Sequence, residues 1–132
     1  MKMKIFNFCI IVTILMMLSS LSYAGWTKVI QTTNGDEYFV DFQRVKKHDG
    51  YVYWRQLTNR VKPSPSGVLS GKFYFQTDCK LLRYKTLSFS AHKAPMGEGI
   101  GITDNTPDQD WRFLPRNSSM ETSLKAICKY VK

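Results

Sequence analysis

An apolar leader decides what the rest of this chain can become. Lys2 and Lys4 precede a run from Ile5 to Leu18 that is apolar apart from Asn7 and Thr13, and Ser22-Tyr23-Ala24 supplies a small-x-small cleavage site. Residues 1–24 read as an export signal, and the mature protein is expected to begin at Gly25, outside the cytoplasm. A run of roughly 20 apolar residues is also long enough to stay in a bilayer, but Asn7 and Thr13 interrupt this one and the cleavage site follows it at once. Cys9 sits within the apolar run rather than at its end, so no lipid anchor is expected, and Cys9 leaves with the signal.

What remains, residues 25–132, is roughly 110 residues, a single domain's length. Losing Lys2 and Lys4 leaves 17 of the 19 basic side chains against all 10 acids, a formal charge of +7. That charge favours acidic partners: an acidic protein patch, an anionic glycan or lipid headgroups. Export argues against nucleic acid, although the same charge inside a cell would point toward it. The expected location is the periplasm, or the cell surface and beyond.

Two cysteines survive, Cys79 and Cys128, an even number in an oxidising compartment, and they are expected to form one disulfide. Closing a loop of about 50 residues stabilises a fold by roughly 4 kcal/mol in the chain-entropy model. Their spacing is not that of a redox Cys-x-x-Cys. With only His48 and His92 as further soft ligands, a metal site is not expected.

Strands come first and a helix last. Trp26 to Gln31 alternates in polarity and meets Asn34-Gly35, a hairpin turn leading into Glu37 to Asp41. Asp49-Gly50 is a second such turn, before the aromatic and β-branched run from Tyr51 to Leu57. Lys62 to Gly67 contains Pro63 and Pro65, neither of which can donate to a ladder, and reads as an exposed loop. Leu69 to Thr77 and Lys80 to Phe89 are two further strand-like runs. Ala91 to Asp110, with Pro95, Gly97, Gly99, Gly101 and Pro107, reads mostly as loop. Ser118 and Glu121 have the spacing of a capping box, and downstream Met120, Leu124, Ile127, Cys128 and Val131 fall on one helical face. Cys128 therefore lies on the buried face, which sets the helix on a sheet near the end of the strand that carries Cys79. The fold class is α+β.

No catalytic constellation is recognisable. His48 and His92 lie beside a turn and a loop with no serine or cysteine nucleophile in a known setting, so no enzyme and no cofactor are expected. Asp104, Asp108 and Asp110 lack the ordered positions and closing glutamate of a calcium loop. Gly97-Glu98-Gly99-Ile100-Gly101 neither follows a strand directly nor opens a helix, so it reads as turn rather than phosphate cradle.

The more informative pattern is the division between strand faces. If Phe73, Phe75 and Cys79 face the helix, period-two alternation sends Lys72, Tyr74 and Gln76 to the other side. Val52 and Trp54 then join the core, leaving Tyr51, Tyr53 and Arg55 outward. The outward set Tyr51, Tyr53, Arg55, Lys72 and Tyr74 is the candidate ligand-binding surface, since Tyr and Arg are enriched where proteins meet partners. A protein, an anionic glycan or a second copy of the chain fits such a surface. Tyrosines that only brace neighbouring strands would show the same pattern.

Several further residues, in order, are similar to the bacterial surface-adhesin protein E family. They are Trp26-Thr27-Lys28-Val29, Glu37-Tyr38-Phe39-Val40-Asp41 then Val45, Tyr53-Trp54, Asp78-Cys79, Arg83-Tyr84-Lys85-Thr86-Leu87, Met96-Gly97-Glu98-Gly99, Trp111 with Pro115, and Cys128. The resemblance spans residues 25–132. It implies an antiparallel sheet of about six strands, with a C-terminal helix packed on one face and tied to it by the cysteine bond. It also implies a binding protein that contacts host matrix proteins. The chain departs from the pattern by lacking a lipid-attachment cysteine at the end of the leader, and by carrying only Lys62 and Lys72 as bases between Val61 and Thr77. A periplasmic structural or assembly component is the alternative function.

Overall fold

The computed structural model describes residues 25–132, so the export reading of residues 1–24 lies outside the described residues. Among the described residues eight antiparallel strands form one sheet: β1 (Thr27–Gln31), β2 (Glu37–Val40), β3 (Lys46–His48), β4 (Tyr51–Asn59), β5 (Ser70–Asp78), β6 (Arg83–His92), β7 (Gly101–Asp104) and β8 (Arg112–Phe113). Six of them run in the order β1-β2-β4-β5-β6-β7, with β3 paired to β4 and β8 to β6. The sheet is thus the expected six strands plus two short ones. β4 has β5 along one side, and on the other β2 followed by β3. Among the described residues a single α-helix, α1 (Ser119–Tyr130), closes the chain.

Turn chemistry accounts for the hairpins. Asp49 and Gly50 both take positive φ, the conformation that joins β3 to β4 in two residues. In the first hairpin only Gly35 does so, with its N–H donating to Thr32 O at 2.9 Å. β6 begins three residues later than the apolar run suggests. The Asp78 carboxylate accepts the N–H groups of Lys80 and Leu81, and Leu82 takes φ +49, so Cys79 to Leu82 form the turn.

α1 packs on one face of the sheet. Its buried Leu124 and Ile127 join Val40, Val52, Trp54 and Phe75, with Met120, Cys128 and Val131 packed around them. Trp54 is 0 % exposed, and its indole N–H donates 2.8 Å to the buried Thr77 hydroxyl. A buried tryptophan keeps its polar end only with such a partner. Ser118 Oγ accepts the Glu121 N–H at 3.1 Å. The reciprocal half of the expected capping box is replaced by a Glu121–Lys125 contact of 3.3 Å, because one helical turn brings that opposite charge within reach. The Cys79–Cys128 disulfide joins the end of β5 to the last turn of α1, with Cα atoms 5.7 Å apart.

The glycine- and proline-rich stretch is more ordered than its composition suggests. After a turn at Pro95–Gly97, β7 pairs with Phe89–His92, Asp108 exchanges two hydrogen bonds with Thr86, and β8 pairs with Arg83 and Tyr84. The chain thereby covers the outer edge of β6, which would otherwise offer unpaired backbone to another strand.

Candidate functional site

Register places all five predicted outward residues on the side of the sheet opposite α1. Val52, Trp54 and Gln56 pair with Thr77, Phe75 and Phe73 on the helix side, so Tyr53 and Arg55, paired with Gln76 and Tyr74, face away. Arg55 and Lys72 are exposed, while Tyr51, Tyr53 and Tyr74 are half-buried. The Arg55 guanidinium sits 4.6 Å from the centre of the Tyr74 ring, and the Tyr74 and Tyr53 rings are 6.3 Å apart.

Three residues complete this surface that strand alternation in β4 and β5 alone does not reach. Arg83 and Lys85 of β6 pair with Asp78 and Gln76, which puts them on the same face. Trp111 folds back over them: Arg83 lies 4.5 Å and Lys85 5.0 Å from its ring centre, and the Tyr51 ring is 5.2 Å away. Cation–π contacts of this kind hold both partners in place without burying either. The available signal was an isolated tryptophan in a segment with little other apolar content.

A carboxylate clip holds Trp111 there. Asp108 accepts Arg112 Nε at 2.7 Å and Nη2 at 3.0 Å, and also the Thr86 N–H at 2.9 Å. The Arg112 hydrogen bond, opposed by burial and reinforced by the Thr86 amide, keeps the Asp108 carboxyl below its usual range. Since the folded pKa is depressed, the clip contributes stability at neutral pH and loses it as pH falls through that lowered value. Asp108→Ala is expected to release Trp111 at pH 7, shifting tryptophan emission to the red and costing about 1 kcal/mol. An unshifted spectrum would mean that other contacts position the ring.

The two ends of the face differ. At the far end the Pro95–Gly97 turn lies on the surface: Met96 N–H donates to Asn59 Oδ1 at 2.9 Å, Gly97 N–H to Ser70 Oγ at 2.8 Å, and a Cβ on Gly97 would meet the Lys72 stem at 2.8 Å. Leu57 is buried on the side that alternation assigns to solvent. Between the turn and the tyrosines, Arg44, Arg55 and Lys72 line an open cleft of about 240 Å³ with Trp26, Tyr74 and Ser88. No carboxylate lines it. The basic character suits an acidic partner, and the ring faces supply contact area at low entropic cost.

Among the described residues no cluster of three or more candidate metal ligands occurs. Asp104 accepts the Thr106 N–H, and Asp108 serves the clip. Asp78, which receives Arg83 at 3.0 Å, anchors the β5–β6 turn beneath the aromatic surface.

Comparison with known proteins supplies the context. The family model for surface-adhesin protein E matches residues 26–129. A structure of Haemophilus influenzae protein E in crystal form II is similar in fold, with a TM-score of 0.63 at 15% identity, covering 86% of this chain and 94% of that one. A second structure of the same protein gives 0.60 at 14% identity, covering 83% and 88%. Protein E from non-typeable Haemophilus influenzae gives 0.56 at 13% identity, covering 83% and 79%. Identities this low carry the fold alone. No curated protein matches the chain.

Proposed function

Since the chain belongs to the surface-adhesin protein E family, we propose that it is an exported, non-enzymatic binding module that holds an acidic patch of a host matrix protein on the sheet surface opposite α1. The residues that carry contact are Tyr51, Tyr53, Arg55, Lys72 and Tyr74, with Arg83, Lys85 and Trp111 completing the surface. The observation that supports this most is the arrangement of Trp111 between Tyr51 and the two bases Arg83 and Lys85. Aromatic rings and cations are brought together where no hydrophobic core requires them, in the composition that binding surfaces favour. The tyrosines also touch across strands, so bracing and contact are both served by the same side chains.

Surface access is the condition this function imposes. A membrane-impermeant amine reagent applied to intact cells should label the protein as fully as it does after the envelope is opened. Labelling only after the envelope is opened would place the protein in the periplasm and remove the adhesin reading in favour of a structural or assembly component.

A further inference from the structure

On the helix side of the sheet, around the disulfide, the surface has a different chemistry. Lys47, Lys80, Lys125, Lys129 and Lys132 ring an open hollow of about 760 Å³. Its floor is apolar, built by Val52, Leu82, Val131 and the Cys79–Cys128 bond. No Asp or Glu side chain lines it. Among the described residues only Lys125 of the five has a side-chain carboxylate partner, Glu121, and the adjacent Asp49 contacts His48 instead. Beside the hollow the β5–β6 turn carries Leu81 outward, 58 % exposed, with Leu82 next to it at 37 %.

We propose that this hollow and the Leu81 tip form a docking site for an anionic phospholipid bilayer, with the lysines meeting headgroup phosphates and the leucines entering the boundary below them. The residue types decide between kinds of acidic partner. Lysine is depleted at the cores of protein interfaces, where arginine and aromatic rings are enriched. A lysine is a flexible point charge on a long apolar stem, suited to mobile headgroups and poor at fixed bidentate recognition. Exposed leucine beside clustered lysine is the composition of surfaces that lie in the membrane interface. The aromatic face, rich in Tyr, Trp and Arg, has the opposite character and lies across the sheet. Docking through the lysines therefore leaves that face free, and does so without a lipid anchor.

The test uses the protein in the form the producing cell leaves it, with its N-terminus determined, mixed with sedimentable vesicles. Vesicles of phosphatidylcholine with about one third phosphatidylglycerol should bind it at least tenfold better than pure phosphatidylcholine, and 0.5 M salt should remove the difference. Each lysine near an anionic surface contributes about fivefold, so Lys80→Gln with Lys129→Gln should weaken binding about 25-fold. Leu81→Ser should weaken it several-fold, and both variants should retain the wild-type circular dichroism spectrum. Tyr53→Ala with Tyr74→Ala should bind vesicles unchanged, which separates this site from the proposed matrix contact. Equal binding to both vesicle types would overturn the proposal. Wild-type binding by the double lysine variant would do the same, as would binding of a polyglutamate peptide by a protein that ignores the vesicles.

Discussion

Replacing Trp54 by alanine should cost about 3–5 kcal/mol, the range for removing a large aromatic side chain from a core. The ring is 0 % exposed and packs 4.9 Å from Phe75 by centroid distance, in the cluster that α1 completes with Leu124 and Ile127. The substitution also strands the buried Thr77 hydroxyl that the indole N–H now satisfies at 2.8 Å, adding the cost of an unpaired polar group. Against a total stability of about 5–15 kcal/mol, the variant should lose a large share of its stability, read as a cooperative thermal transition shifted strongly to lower temperature. A melting temperature within a few degrees of wild type would show that α1 is held by something other than this contact.

The disulfide is expected to matter nearly as much. Cys79 and Cys128 lie 49 residues apart and join the β5 end to the last turn of α1, so the bond restricts the unfolded chain across most of the sheet's second half. Cys128→Ala should lower stability by about 2–5 kcal/mol, with urea midpoint as the readout. Non-reduced peptide mapping should recover the Cys79–Cys128 crosslink from wild type. Two free thiols at these positions would contradict the pairing.

Much of this architecture is visible in the residues because local and global preferences agree. Asp49-Gly50 supplies positive φ where β3 turns into β4, Ser118 caps α1, and Leu124 and Ile127 fall on its buried face at helical spacing. The elements that stay hidden lack such agreement. β3 is exposed along its length and β7 carries Ile102 at 76 % exposure, so neither has an apolar face for periodicity to reveal. Both exist because a neighbouring edge of β4 or β6 offers backbone partners. Leu57 shows the converse case. Alternation puts it outside, yet it is buried, on the stretch of sheet where Met96 and Gly97 return onto Asn59 and Ser70.

The candidate surface divides in the same way. Tyr51, Tyr53, Arg55, Lys72 and Tyr74 can be grouped from period-two alternation within two strands. Arg83 and Lys85 require the length of the turn after β5, where a one-residue error exchanges the two faces. Trp111 requires the Asp108–Arg112 clip, a contact to β6 that no local pattern encodes.

The most direct measurement of whether the aromatic–basic face is a binding surface is the affinity of the Tyr53→Ala, Tyr74→Ala double variant for a surface coated with basement-membrane matrix. Wild type should bind saturably and more tightly at low than at physiological salt, since exposed charges are screened over about 8–10 Å. The double variant, with its thermal transition retained, should bind at least about tenfold more weakly, the loss expected for central aromatic anchors. Binding of the double variant equal to wild type would contradict the account.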